Sequence, residues 1–432
     1  MTKFKRSILF LIVVTLLPQI VTAQLRLKNT QNVIVYKDQG RFCGWPANNG
    51  VWSWGNNEIL VGFTLGYYKA DENGHSINNE KEMYPVFARS LDGGESWHFE
   101  DNSWFRKRNH ELSQCQGGIN FAHPDFVMRM DGHGWHTGRE GFNISYDRGK
   151  NWQGPYELHF PPNSEYNLSE PELTPRTDYL IINADDCFFF LSMRDKNTWG
   201  SDRTYCARTV NSGRSVDFVS WVNPEKHTIR GVMPSTVRCS ENKLVTALRR
   251  KRIGGKNWID VFESTDNGQS WRFISKVADT DLEEDEHNGN PPSMIRLADG
   301  RLCVTYGYRS ADYGIRAKLS NDDGKSWGKE IILRDDARNW DIGYTRTVQR
   351  EDGKIITIYY YTTEKNIEQH IAATIWDAPF SLTPPKNGDI YVVAHRGVHQ
   401  GIPENTLPAY QKAIDLGCDF VEIDVRTTKD GK

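Results

Sequence analysis

The chain has 432 residues, 38% of them hydrophobic and 25% charged, with 53 basic residues against 56 acidic ones and a net charge of −3. At about 150 residues per domain this makes two or three domains, unless one large propeller or barrel uses most of the length. The near balance of charge excludes a nucleic-acid binder driven by a basic surface, and 14 Trp, 18 Tyr and 36 Gly suit an all-β chain with many turns and often a carbohydrate partner.

In chain order, residues 1–23 come first. They have a basic start (Lys3, Lys5, Arg6), an apolar run from Ile8 to Leu17, and Val21-Thr22-Ala23 as a small-x-small cleavage site. This is the pattern of a secretory signal peptide. The run falls short of the roughly 20 residues that span a bilayer, and no second apolar run of spanning length follows. The expectation is a secreted or periplasmic protein with no stable membrane anchor. The seven cysteines are scattered without a CxxC, so buried free thiols are expected, with one or two bridges as the alternative.

Next comes a repeat. Four segments share Ser-x-Asp-x-Gly-x-x-Trp: SLDGGESW from Ser90, SYDRGKNW from Ser145, STDNGQSW from Ser264 and SNDDGKSW from Ser320. Their starts lie 55, 119 and 56 residues apart, and the long gap holds a worn copy, TVNSGRSV from Thr209, with Val216 in place of Trp. Asp and Ser side chains bond a turn's backbone, Gly supplies its positive φ, and Trp packs beneath. Strand-like runs such as KLVTALRR, RLCVTYGYR and KIITIYYY flank these turns. A four-stranded unit of this period is a propeller blade. The span from about Val33 to about Asp377 divides into roughly six.

Together these features resemble the Asp-box repeats of the sialidase superfamily, over nearly everything from Asn32 to Pro379. The resemblance implies a mainly β, six-bladed β-propeller over residues 24–379, with Asp92, Asp147, Asp266 and Asp322 as structural turn residues. It implies arginines gripping a carboxylate, a tyrosine nucleophile activated by a glutamate, and an aspartate acid/base. A guanidinium binds a carboxylate bidentately, and a phenol approaches an anionic sugar without like-charge repulsion. By motif position the substrate-binding residues are Arg41 in GRFCGWP, Arg249 (with Arg250 as the alternative) in LVTALRRKR, and Arg316 in YGIRAKLS; the nucleophile is Tyr344 in DIGYTRTVQ. KADENGHS, in the place of the acid/base loop after Arg41, offers Asp71 and His75, with no family motif that fixes either; Asp71 is taken as the acid/base. The sequence departs from the pattern at Met233 and Pro234, where the glutamate is expected. Other loop motifs hold His123 and Asp125, His133 and His136, and Asn290. The histidine pair reads as a weak metal pair, as solvated or hydrogen-bonding groups, or as the acid/base groups of a lyase or hydrolase acting on a uronic-acid glycan. DTDLEEDEHNGN reads as a solvated acidic loop or a calcium loop.

The stretch 380–388 is a Pro-containing linker, and 389–432 opens a second domain. YVVAHRG reads as a strand, NTLPAYQKAIDLG as a helix ending at Gly417, and DFVEIDV as a second strand with Glu422 and Asp424 on one face. HRG, PENT and ExD in this order resemble the N-terminal signature of glycerophosphodiester phosphodiesterases. The resemblance implies His395 as acid/base, Arg396 on the phosphate, Glu422 and Asp424 on a calcium or magnesium ion, and Glu404 in the same site, near the metal or holding the arginine. It also implies a TIM barrel of about 250 residues, of which the 44 residues from Asp389 are an incomplete βαβ unit, inactive alone. The functional expectation is a two-domain hydrolase: an exo-glycosidase propeller on an acidic glycan, fused to a glycerophosphodiester phosphodiesterase. A non-catalytic carbohydrate-binding propeller is the alternative.

Overall fold

The computed structural model describes residues 24–27, 29–106, 111–132, 140–158, 171–174, 176–195, 202–223, 229–252, 255–282, 289–379 and 390–426. The leader, His133, His136, residues 283–288 of the acidic loop and the linker 380–388 lie outside them. The chain forms two compact units, Met1–Asp377 and Ala378–Lys432.

The first unit enters through β1 (Leu25–Arg26) and β2 (Gln31–Tyr36). Blade 1 follows with β3 (Arg41–Gly44), α1 (Pro46–Asn49), β4 (Val51–Trp54), β5 (Glu58–Tyr67), β6 (Tyr84–Ser90) and β7 (His98–Glu100). Blade 2 has β8 (Val127–Gly132), β9 (Glu140–Ser145) and β10 (Gln153–Glu157). Blade 3 has β11 (Pro171–Leu173), β12 (Tyr179–Ile181), β13 (Cys187–Asp195), β14 (Arg203–Thr209) and β15 (Asp217–Trp221). Blade 4 has β16 (Ile229–Arg238), β17 (Leu244–Arg252), β18 (Asn257–Ser264) and β19 (Arg272–Asp281). Blade 5 has β20 (Ser293–Arg296), β21 (Leu302–Tyr308), β22 (Gly314–Ser320) and β23 (Ile331–Arg334). Blade 6 has β24 (Gly343–Gln349), β25 (Ile355–Tyr361) and β26 (His370–Trp376).

These are six sheets, the six-bladed propeller that the repeat implies. The sixth is completed by β2, which pairs antiparallel with β26, while β1 adds a parallel edge to β23. Val33 therefore belongs to the last blade, and the first blade starts at Arg41. Pairing β2 with the last blade closes the ring and covers an edge that would otherwise be open.

Middle strands are buried on both faces, so they read as continuous β-branched and aromatic runs. All seven residues of IITIYYY in β25 are buried. Apolar clusters fill the gaps between successive blades: Phe63 with Ile358, Leu60 with Val127, Phe142 with Phe189, Phe190 with Leu248, and Val261 with Val304. All seven cysteines are free thiols, six of them buried.

Each Ser-x-Asp turn joins the last two strands of its blade. In the first, Gly94 N–H donates to Ser90 Oγ at 2.7 Å, Ser96 N–H to Asp92 Oδ1 at 2.9 Å, and Trp97 Nε1 to Gly94 O at 2.9 Å. The worn copy keeps this frame, with Gly213 N–H on Thr209 Oγ1 and Ser215 N–H on Asn211 Oδ1, both at 3.0 Å, and Val216 buried. Because strands alternate in direction, these turns lie on one face of the propeller. The loops β5–β6, β17–β18, β21–β22 and β25–β26 lie on the other.

In the second unit, β27 (Val393–His395) and β28 (Phe420–Glu422) are parallel and α2 (Leu407–Asp415) connects them. This is the βαβ opening expected from the sequence. Among the described residues no helix is long and apolar enough to cross a membrane.

Candidate active site

On the face opposite the Ser-x-Asp turns, first-strand starts and second-strand ends of blades 4, 5, 6 and 1 bring polar side chains together around Tyr344. The site begins with a backbone feature. Gly343 and Tyr344 both have positive φ, 100° and 51°. Asn290 fixes this bend: its Nδ2 donates to Ile342 O at 2.9 Å, and its Oδ1 accepts Tyr344 N–H at 2.9 Å and Gly307 N–H at 3.2 Å. A Cβ at residue 343 would meet Asn290 at 2.4 Å, so only glycine fits there. A strained, over-determined backbone of this kind is typical of a residue held for function.

Three arginines act on the Tyr344 phenol. Arg249, on β17, donates through Nη1 to the Tyr344 hydroxyl at 3.1 Å. Arg309, just past β21, lies 5.5 Å from the Tyr344 ring centre and 5.2 Å from that of Trp340. Arg309 Nη2 also donates to Tyr360 Oη at 2.8 Å and to Ile342 O at 3.0 Å. Burial alone would raise the Tyr344 phenol, but the charges of Arg249, Arg309 and Arg176, with the Arg249 hydrogen bond, hold it below its ordinary value. Burial pushes Arg249 down to about 10, against the pull of Tyr344 and with the repulsion of Arg230 and Arg309, which leaves it charged at neutral pH. The glutamate's expected segment supplies Met233, at φ 55°, whose Sδ receives a contact from Arg249 Nη1 at 3.6 Å.

Beside this group sits a second one. Asp341 is 1% exposed and accepts from Tyr360 Oη at 2.7 Å and from Ser76 N–H at 3.0 Å. Its Oδ1 is 2.5 Å from His75 Nδ1. The His75 ring lies 5.2 Å from Trp45, edge-on, and 5.6 Å from Trp340. The Tyr344 and Tyr360 rings meet at 5.9 Å.

Of the residues expected from the sequence, Tyr344 and Arg249 come together. Arg41 donates to Gly66 O at 2.7 Å and lies over Tyr67. Arg316 donates to the Asp312 and Arg334 carbonyls, both at 2.8 Å, and lies over Tyr308. Arg309 and Arg176 are the additional arginines that act on the phenol. Asp71 is exposed and caps its own turn, accepting Asn73 and Gly74 N–H at 2.9 and 3.0 Å. Arg250 pairs with Asp260. His123 accepts Asp125 N–H at 3.2 Å, and Asp125 pairs with Arg148. Arg309, Asp341 and Tyr360 went unnoticed in the sequence. The signal available was positional: Arg249, Arg309 and Tyr360 all lie at or just past the ends of second strands.

In the second unit, Arg396 has φ 54° and pairs with Glu404 at 2.8 Å and Asp424 at 2.7 Å. Its N–H donates to Glu422 Oε2 at 3.1 Å, and His395 Nε2 is 3.8 Å from the same oxygen. The HRG, PENT and ExD residues thus converge. The carboxylates gather on a guanidinium, and among the described residues no group of three or more His, Cys, Asp or Glu is placed to hold a metal ion.

The chain is thus a six-bladed β-propeller with a tyrosine set among arginines on one face. Residues 126–357 match the BNR repeat-like domain family, and the chain belongs to that family. A protein of unknown function from Dyadobacter fermentans superposes with a TM-score of 0.61 at 19% identity, over 82% of this chain and 100% of that one. A Penicillium chrysogenum α-L-arabinanase gives 0.52 at 12% identity, over 81% and 98%. The NanB sialidase of Streptococcus pneumoniae gives 0.51 at 12%, over 80% and 70%. At these identities the likeness is one of fold. Residues 395–432 match the glycerophosphoryl diester phosphodiesterase family. A glycerophosphodiester phosphodiesterase of Caldanaerobacter subterraneus subsp. tengcongensis is 52% identical over 40 residues, 9% of this chain and 16% of that protein. A probable enzyme of that name from Mycobacterium tuberculosis is 54% identical over 44 residues, 10% and 16%. The chain thus spans about a sixth of the length of these curated relatives.

Proposed function

We propose that the propeller is an exo-acting glycosidase for an acidic sugar, with Tyr344 as the nucleophile and Arg249, Arg309 and Arg176 gripping the sugar's carboxylate. The observation that carries this reading is the Tyr344 hydroxyl at 3.1 Å from Arg249, with two further arginines acting on the same phenol. Three like charges drawn to one point repel one another, and an anionic ligand relieves that repulsion. The same charges favour phenolate, so the nucleophile is prepared by cations instead of by a neighbouring base. That accounts for a catalytic tyrosine with Met233 where a glutamate is expected. Met233 also favours a second reading, in which the propeller only binds the glycan.

The panel that separates these readings is 4-nitrophenyl glycosides of N-acetylneuraminic acid, glucuronic acid, galacturonic acid and neutral arabinofuranose, with the parent chain and Tyr344→Phe. The expected result is release from one acidic sugar, falling at least about 100-fold in Tyr344→Phe. Binding without turnover in the parent supports the second reading, and turnover confined to the neutral sugar overturns the anionic one. An unsaturated product would instead assign the uronic-acid lyase reaction.

For the second unit the proposal is phosphodiester chemistry on a glycerophosphodiester, with His395 as acid/base and Arg396 neutralising phosphate charge. Glu404, Glu422 and Asp424 are oxygen donors of the kind calcium or magnesium takes. With Arg396 seated among them, they do not fit a cation as arranged. Export through residues 1–23 completes the proposal.

A further inference from the structure

We propose that His75 is the acid/base of the glycosidic cleavage and that Asp341 is its positioning residue, a role that rests on the reading of Tyr344 as nucleophile.

The geometry comes from two blades. His75 sits in the β5–β6 loop of blade 1, while Asp341 immediately precedes β24 of blade 6. The Asp341 carboxylate is fully engaged: Oδ1 takes His75 Nδ1 and Tyr360 Oη, and Oδ2 takes Ser76 N–H. A buried carboxylate on Nδ1 fixes the tautomer, steadies the imidazolium, and leaves Nε2 as the nitrogen for a substrate. The Trp45 and Trp340 rings hold the imidazole plane from two sides. The His75 side chain is 25% exposed, whereas Asp341 is nearly sealed, so a ligand can reach the histidine but not its partner.

The pair also adjoins the nucleophile through shared neighbours. Tyr360 hydrogen-bonds Asp341 and packs edge-on against Tyr344. Arg309 reaches both Tyr360 and the Tyr344 ring. Asp71, five residues before the loop's Ser76, is spent on the turn that presents His75. Burial alone would raise Asp341, but His75, Arg309 and Tyr360 hold it below the usual carboxylate range, so it stays a carboxylate beside the ring.

The reaction balances as two displacements. The Tyr344 phenolate oxygen bonds to the anomeric carbon as the bond to the leaving oxygen breaks, and the proton on His75 Nε2 passes to that oxygen, releasing an alcohol. Neutral His75 then takes a proton from water as the water oxygen bonds to the anomeric carbon and the bond to Tyr344 breaks. Phenolate and imidazolium are restored, and one water has been consumed.

The test uses the full chain with 4-nitrophenyl and methyl glycosides of N-acetylneuraminic acid, glucuronic acid and galacturonic acid. An alkyl leaving group needs the proton and nitrophenolate does not. For His75→Gln, cleavage of the methyl glycoside is expected to fall ~10²–10⁴-fold, cleavage of the aryl glycoside much less. Added azide should restore turnover with a glycosyl azide as product. Methyl-glycoside cleavage at the parent rate, or azide rescue that follows Asp71→Asn instead, overturns the role of His75. Inactivity of Tyr344→Phe in the same assay would then leave the nucleophile reading intact, whereas a parent that cleaves none of these glycosides ends both. For Asp341→Asn, kcat on the methyl glycoside should fall while KM and aryl-glycoside cleavage change little, because the carboxylate that holds the ring through Nδ1 is gone. Methyl-glycoside kcat at the parent value, in a variant that keeps the parent Tm, removes the positioning role.

Discussion

Tyr344 and Tyr360 stand with ring centres 5.9 Å apart, and their surroundings drive their phenols in opposite directions. Burial sends Tyr360 well above its ordinary value, against the pull of Arg309, so it stays protonated and donates to Asp341. Tyr344 is buried too, yet the arginines around it hold its phenol below the ordinary value. Neighbouring groups pushed apart in this way are the usual mark of divided acid and base roles. In an ultraviolet pH titration, one phenol should ionise below the ordinary value of about 10. It should vanish in Tyr344→Phe and move upward in Arg249→Met, because removing a cation removes its support for the phenolate. An unchanged curve in Tyr344→Phe would contradict this. Tyr344 and Arg249 were legible in the sequence because each sits in a motif with a fixed place in the blade. Arg309 was not, because Arg316 lies on the next strand and fits the motif order better. In the fold, the Arg316 side chain turns to the Asp312 and Arg334 carbonyls, which no sequence pattern reveals.

The turns are the elements that the sequence described best. Ser, Asp and Gly each take a set place in the hydrogen bonding of the turn, so residue type and spacing determine the geometry. The worn copy shows which parts matter: Thr209 and Asn211 replace Ser and Asp with the same bonds. These bonds also tie the turns to pH. Burial alone would raise Asp92, but bonds from Ser96, Ser90 and Glu95 hold it at about 2. Its unfolded value is roughly 3.9, so its contribution is complete above about pH 4 and is lost as the pH falls through about 2. The Tm difference between the parent and Asp92→Asn should therefore shrink over that window, and a constant difference would show that the turn is not linked to protonation. Ring closure was less legible, because the pairing partner of β2 lies more than 300 residues away and no local pattern encodes it.

At the scale of the whole propeller, the ring decides what the site is. No single blade holds it: blade 4 gives Arg249, blade 5 gives Arg309, blade 6 gives Tyr344, Asp341 and Tyr360, and blade 1 gives His75 and Trp45. Arg346 shows how the ring is tied at its centre, donating from blade 6 to the Ala47 carbonyl after β3 and to the Thr177 carbonyl before β12. Site residues from separate blades keep their spacing only while such ties and the β2–β26 pairing hold. This is also why the sequence could propose Tyr344 but not the Asp341–His75 pair, whose members are 266 residues apart. The most direct test of the central claim is to incubate the chain with fluorinated acidic glycosyl fluorides, which slow the second displacement, and to map the adduct by peptide mass spectrometry. One glycosyl group is expected on the peptide carrying Tyr344, absent in Tyr344→Phe. A covalent adduct on any other residue, or hydrolysis with inverted anomeric configuration, would contradict it.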